Sequence, residues 1–441
     1  MGRRRKQKLP SEPVEALIEN LSHEGRGIAR VEGKTVFVDG ALTGETVEFK
    51  YTRQKSRHAE GQAISVKNPA DTRAEPKCPH YEICGGCRLQ HMKSDEQIRF
   101  KQSVMLEQMT HIGHVEAQNI TPSIVTSPWG YRRKARLGVK YVHKKGRVLV
   151  GFREKNAPFV ADMDECHVLH ERVGTLITPL SDMIDGLSIR SHLPQIEVAM
   201  GDEQLVLLFR VLEPPTEEDK AQLVTFSETH DLLIYLQPGG YDTVEPLTEA
   251  ADLSYTLKDD DLTIHFGVSD FTQVNLEMNR KMVAQAMQWL DLHAEDCLLD
   301  LFCGVGNFTL PAAKRANTVV GVEGDASLVE KAERNATLNG SKAVFYKADL
   351  TKEFLGQAWM QLTYNKMLID PPRSGALEVI QEMAKFNIPH IVYVSCNPAT
   401  LARDADELVN KQGYTLVNLC AMDMFPHTAH VESMALFIKA G

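Results

Sequence analysis

From about residue 265 onward the chain alternates short apolar runs with amphipathic ones, and this alternation restricts the possible fold more than any other feature. TQVNLEMNRKMVAQAMQWL, NFTLPAAKRA and SLVEKAERNATLNG have helical character, whereas CLLDLF, TVVGVE, AVFYKAD, KMLIDPP and IVYVSC read as strands. Such an order implies an α/β unit with a doubly wound, Rossmann-like parallel sheet, whose ligands bind beyond the carboxyl ends of the strands. The first strand runs into a glycine turn in LDLFCGVGNFT, residues 299–309. Gly304 and Gly306 would let backbone approach a ligand closely. A dinucleotide is compatible with that turn, because Glu323 follows at the distance where an acid grips a ribose hydroxyl. Thr309, however, stands where the dinucleotide fingerprint wants its third glycine. Acids also follow the strands in succession, namely Asp300, Glu323, Asp349 and Asp370. One such acid would ordinarily be a surface or capping residue; the series suits a cationic sulfonium carrying an amino acid, a ribose and an adenine better than a pyrophosphate.

At 441 residues the chain exceeds one ordinary core, so about two to four packed units are expected. With 43% hydrophobic and 24% charged residues it has the make-up of a soluble globular protein. Residues 13–68 alternate apolar and polar positions between glycines, which predicts a small OB-like β-barrel; barrels of this kind bind oligonucleotides, and the basic TRQKSRH loop fits that use. Between them lies a mixed, mostly β segment with a helix over 94–112. The expected units are therefore 10–68, 69–264 and 265–441. The net charge of −10 does not favour a polyanion, but placement matters more than the sum. Arg3, Arg4, Arg5, Lys6 and Lys8 open the chain, and residues 131–147 hold Arg132, Arg133, Lys134, Arg136, Lys140, Lys144, Lys145 and Arg147 with no acid; both runs are candidate phosphate contacts. No apolar window is long enough to span a bilayer and no secretory leader is present, so a cytoplasmic, membrane-free monomer is the expectation.

Two further loops face the same crevice: DPPRSG at 370–375 and VSCNPAT at 394–400. Amino-group methyltransferases carry an aromatic residue after the paired prolines, where Arg373 stands here. Carbon 5 of a pyrimidine is a poor nucleophile. A thiolate adding to carbon 6 turns the ring into an enolate that can attack a methyl group, and Cys396 is suitably placed to supply it. The glycine loop, the acids, DPPRSG and SCNP together resemble the S-adenosylmethionine-dependent uracil-5 RNA methyltransferases. The resemblance implies that Glu323 holds the ribose and Asp349 the adenine amine, with Gln273, Phe302, Asn307 and Asp370 completing the S-adenosylmethionine pocket. It also implies that Glu432, in HVES, removes the carbon 5 proton. Cytosine-5 RNA enzymes have a second cysteine at the place of Arg373, so uracil is favoured. The target base must be splayed out of its stack.

Cys78, Cys84 and Cys87 form a compact thiol set in a chain expected to be reduced, which favours metal over disulfides. Cys166 is the best fourth ligand, since Cys297, Cys303, Cys396 and Cys420 belong to the C-terminal half. Zinc and a [4Fe–4S] cluster are both open to such a set. The C-x5-C-x2-C…C spacing resembles the iron–sulfur members of the uracil-5 family, which implies the cluster. Residues 13–68 likewise resemble the TRAM module of RNA-modifying enzymes. With both features the chain most resembles the family branch that acts on 23S rRNA and carries both, rather than a second ribosomal branch that has the cluster without the barrel. A tRNA uracil-5 enzyme, an inactive RNA-binding assembly factor and a dinucleotide-dependent oxidoreductase are the alternatives.

Overall fold

The computed structural model describes residues 9–350 and 356–439, so the basic residues Arg3 to Lys8 lie outside it. In the N-terminal barrel the strands are ordered Val14–Leu17, Thr46–Gln54, His58–Val66, Lys34–Asp39, Gly27–Val31 and Asn20–Leu21. The sheet closes where Ile18 N–H donates to Glu45 and Glu19 N–H donates to Ile28, at 2.9 and 2.8 Å. Period-2 alternation turns Val36, Val38, Val47 and Phe49 inward. Glu45, wholly buried, accepts from Arg73 at 2.6 and 2.7 Å and from the N–H groups of Leu42 and Ala70. Burial works against its ionisation, but Arg73 and those N–H groups outweigh it and hold the carboxyl below the usual range. Together with the Arg88–Asp39 pair at 3.2 Å, this fixes the barrel to the body of the molecule.

The central segment builds a six-stranded mixed sheet, ordered Glu245–Pro246, Leu233–Gln237, Leu205–Arg210, Gln195–Met200, Lys134–Val142 and Arg147–Gly151. Helices Ile177–Asp185 and Glu217–Thr229 pack against it, sharing its apolar cluster through Ile177, Leu180, Leu223 and Phe226. The predicted helix at 94–112 is α over Ser94–Gln108 and ends in a π turn, Met109–Gly113. Its apolar residues Ile98, Val104, Met105 and Met109 pack into the C-terminal core, not the central one.

The C-terminal sheet has eight strands, ordered Val344–Lys347, Thr318–Glu323, Cys297–Leu301, Lys366–Ile369, His390–Ser395, Glu432–Lys439, Tyr414–Met422 and Asn119–Ile120. The first five in that order are mutually parallel, Glu432–Lys439 is antiparallel to both its neighbours, and the last is an edge strand lent by the central segment. Both faces are covered. Leu298, Leu368 and Val392 point to the helix Leu276–Leu290, while Leu299, Met367 and Ile391 point to the opposite layer. Burial on both faces is what makes such strands continuous apolar runs in sequence. The chain winds outward from Cys297–Leu301 and then returns to its other side at Lys366–Ile369, so a crevice opens between these two strands at their carboxyl ends.

Much of the basic run at 131–147 is engaged within the fold. Arg133 donates to the Gly201 carbonyl at 2.5 Å, Lys134 to that of Val268 at 2.7 Å, and Arg136 lies 2.9 Å from Glu197. Lys145 and Arg147 both pair with Asp162. Lys140 and Lys144 do stand exposed. Most of the run thus serves cross-strand and inter-segment pairing.

Candidate active site and cysteine cavity

Phe302 leaves the first strand in a left-handed conformation (φ 64°), with its N–H held by the Val322 carbonyl at 2.9 Å. Gly304 is also left-handed, and a Cβ there would have no neighbour within 4 Å; its backbone is thus open to a ligand. The Glu323 carboxylate accepts from Gly304 N–H at 3.1 Å and from the N–H groups of Gly324 and Asp325 at 2.7 and 3.0 Å. Asp349, exposed, follows the adjacent strand Val344–Lys347 and lies beside Gly324. Thr309 donates its hydroxyl to the buried Asp300 at 2.5 Å, which accounts for a threonine where a dinucleotide site has glycine. The other Asp300 oxygen is buried with no hydrogen-bond partner among the described residues. Burial, together with the charges of Asp370 and Glu323, pushes Asp300 up to about 8. A crevice with this many acids and an orphaned carboxyl oxygen fits a cationic ligand.

Asn307, expected in the cofactor pocket, has its polar atoms bonded within the fold. The Asn307 amide exchanges two 2.9 Å bonds with Asn279 and accepts from Tyr255 at 2.8 Å, so its polar atoms brace the turn against the preceding helix. Gln273 is half-buried in the loop before that helix. The loop is tied to the helix following Glu323 by a 2.6 Å Lys331–Asp270 pair.

Cys396 and Glu432 are brought together by strand register. Ser395 pairs with Ser433 across antiparallel strands, so the residues just beyond that pair, Cys396 and Glu432, emerge side by side. Asn397 caps the helix Pro398–Asp406 and donates to the Arg373 carbonyl at 3.1 Å, stitching the cysteine loop to DPPRSG. Burial and the charges of Glu432 and Asp370 raise the Cys396 thiol to about 11, and Arg373 opposes them. Burial and Asp370 raise Glu432 to about 8, and burial raises Asp370 to about 7. The sulfur opens onto a cleft of about 230 Å³ lined by His23, Gln108, Arg373, Asn397 and His430. His23 comes from the barrel and Gln108 from the helix of the central segment; neither carried a local signal in sequence.

This geometry has counterparts. Residues 131–440 match the family described as tRNA (uracil-5-)-methyltransferase, and residues 7–64 match the TRAM domain. The chain belongs to the uracil-5 RNA methyltransferase family. A relative from Legionella pneumophila (strain Paris), 49% identical over 99% of this chain and 100% of its own, is named 23S rRNA (uracil(1939)-C(5))-methyltransferase RlmD. A relative of the same name from Nitrosococcus oceani is 52% identical over 97% of both chains. Among solved structures, the Pyrococcus abyssi tRNA (uracil-54, C5)-methyltransferase in complex with S-adenosyl-L-homocysteine superposes with a TM-score of 0.72 over 96% of this chain and 100% of its own, at 24% identity, and so shares the fold.

In this uracil-5 methyltransferase, Cys78, Cys84, Cys87 and Cys166 line one small cavity with Tyr81, Phe152 and Met163. Gly86 N–H donates to the Cys84 sulfur at 3.4 Å. Burial raises all four thiols, Cys87 to about 12 and Cys166 to about 11. Among the described residues no group of three or more His, Cys, Asp or Glu side chains stands ready to hold a metal ion. The shared cavity and the all-sulfur donor set fit a thiophilic metal centre in chemical type.

Proposed function

We propose that this chain methylates carbon 5 of a uracil in 23S rRNA, at the position its relatives are named for, uracil 1939, with S-adenosylmethionine as methyl donor. Family membership over the full length supports the reaction class, and relatives at about 50% identity support the substrate. The observation that carries the mechanism is the pairing of Cys396 with Glu432 at the ends of adjacent strands, beside Asp370 and Arg373. Glu323, Asp349, Asp370, Phe302, Gln273 and the turn braced by Asn307 would hold S-adenosylmethionine, which supplies an electrophilic methyl group. Cys396 gives up its proton to water in the cleft and the thiolate bonds to carbon 6 of the flipped uracil, leaving carbon 5 electron-rich. Once carbon 5 carries the methyl group, Glu432 takes its proton, the carbon 5–carbon 6 double bond re-forms and the thiolate leaves. Arg373 favours the charged forms of both residues. Deleting the gene should remove 5-methyluridine from 23S rRNA and leave tRNA 5-methyluridine intact. Loss confined to tRNA, read by mass spectrometry of RNase fragments, would point to the tRNA branch instead.

Cys78, Cys84, Cys87 and Cys166 would hold a [4Fe–4S] cluster, a reading supported by the family spacing and by their common cavity. Protein purified without oxygen should absorb in the visible with about four irons per chain. Cys87→Ser should lose most of that absorbance. A colourless parent protein carrying stoichiometric zinc would exclude the cluster.

A further inference from the structure

Residues 423–431 connect the last two strands of the C-terminal sheet, and Ala429, His430 and Val431 form one wall of the cleft that contains Cys396. This loop is gripped from outside the catalytic half. The N–H groups of Arg88 and Leu89, which follow Cys87 directly, donate to the His427 carbonyl at 2.7 and 2.9 Å. Gln97 accepts from His427 N–H at 2.8 Å, and its amide nitrogen lies 3.1 Å from the His427 ring, 3.0 Å from the Leu89 carbonyl and 2.8 Å from that of Met92. The Trp129 ring centre lies 4.0 Å from the His427 ring, and Trp129 also makes an edge contact with His167, the neighbour of Cys166. Farther along, wholly buried Lys101 reaches Asp423 at 2.5 Å and the Phe425 carbonyl at 2.9 Å. His427 itself is left-handed, with φ 65°, a conformation that persists in a non-glycine residue where its surroundings enforce it.

We propose that Gln97 and His427 are positioning residues for removal of the carbon 5 proton: they clamp this loop to the cysteine-bearing segment, fixing the cleft wall and the Glu432 carboxylate at its end against the base bound to Cys396. The inference rests on the roles given above to Cys396 and Glu432. A slack wall leaves the sulfur able to attack but lets the carboxylate drift from the carbon 5 hydrogen, so the covalent stage persists. Two full-length variants test this. Gln97→Met removes the amide at similar volume, and His427→Asn removes the imidazole while keeping a residue that tolerates positive φ. Both should still form the adduct with 5-fluorouridine RNA. Both should accumulate an adduct on ordinary uridine RNA, lose about tenfold to a hundredfold in kcat, and exchange the amide hydrogens of 423–431 faster than the parent. Unchanged exchange, parental release of the adduct, or a parallel fall of adduct formation and turnover would each overturn the clamp. If the parent itself gave no adduct with 5-fluorouridine RNA, the Cys396 reading would fail, and amide exchange in the two variants would still judge whether the clamp exists.

Discussion

Cys396→Ala is expected to bring methyl transfer to background while leaving S-adenosylmethionine binding essentially unchanged. The sulfur lies on the cleft side of the sheet end, whereas the glycine turn, Glu323 and Asp349 lie across the switch point on strands of their own. Removing one half-buried sulfur should cost about 1 kcal/mol of stability, so the loss would be chemical and not a failure to fold. Incorporation of labelled methyl into 23S rRNA fragments, with calorimetric titration of the cofactor, separates the two effects. The parent should form a covalent species with 5-fluorouridine RNA, because fluorine at carbon 5 cannot leave as a proton does, and the variant should form none. An adduct mapped to any other residue would refute the mechanism.

Glu432→Gln is expected to fail one step later. Glutamine keeps the shape of the side chain but cannot take the carbon 5 proton, so turnover should fall by about 10²- to 10⁴-fold while the adduct builds up on ordinary uridine RNA. Denaturing gels and single-turnover kinetics would show this. Stability provides an independent check. In the folded chain Glu432 is raised to about 8, by burial first and Asp370 second, and in the unfolded chain it titrates as an ordinary carboxyl. The fold therefore retains the proton over a range where the unfolded chain has lost it, and the parent's stability falls as pH rises toward 8. Glutamine does not titrate, so the variant should be at least as stable as the parent at pH 8. A variant that melts well below the parent there would mean that Glu432 is ionised and paired in the fold.

The doubly wound sheet was legible because strands buried on both faces announce themselves as apolar runs such as CLLDL and TVVGVE, whose bounds nearly coincide with the strands found. Cys396 stood out through its local setting and Glu432 through family resemblance alone, and strand register sets the two side by side. What sequence could not convey was which distant residues meet. Arg136 and Arg133 read as free cations because their partners, Glu197 and Asp202, lie some sixty residues further along. Helix Ser94–Gln108 gave no hint that it leaves its own segment to pack on the catalytic core. Asn307 stood in the glycine turn, and its bracing bonds to Asn279 and Tyr255 carried no signal in sequence. His23 is the extreme case, being separated from Cys396 by most of the chain yet lining the same cleft.

That last placement makes the barrel more than a tether. Arg73–Glu45 and Arg88–Asp39 tie it to the segment that follows. RNA held on its surface would have a set span to cover before a nucleotide reaches Cys396, because His23 of the barrel and the sulfur share one cleft.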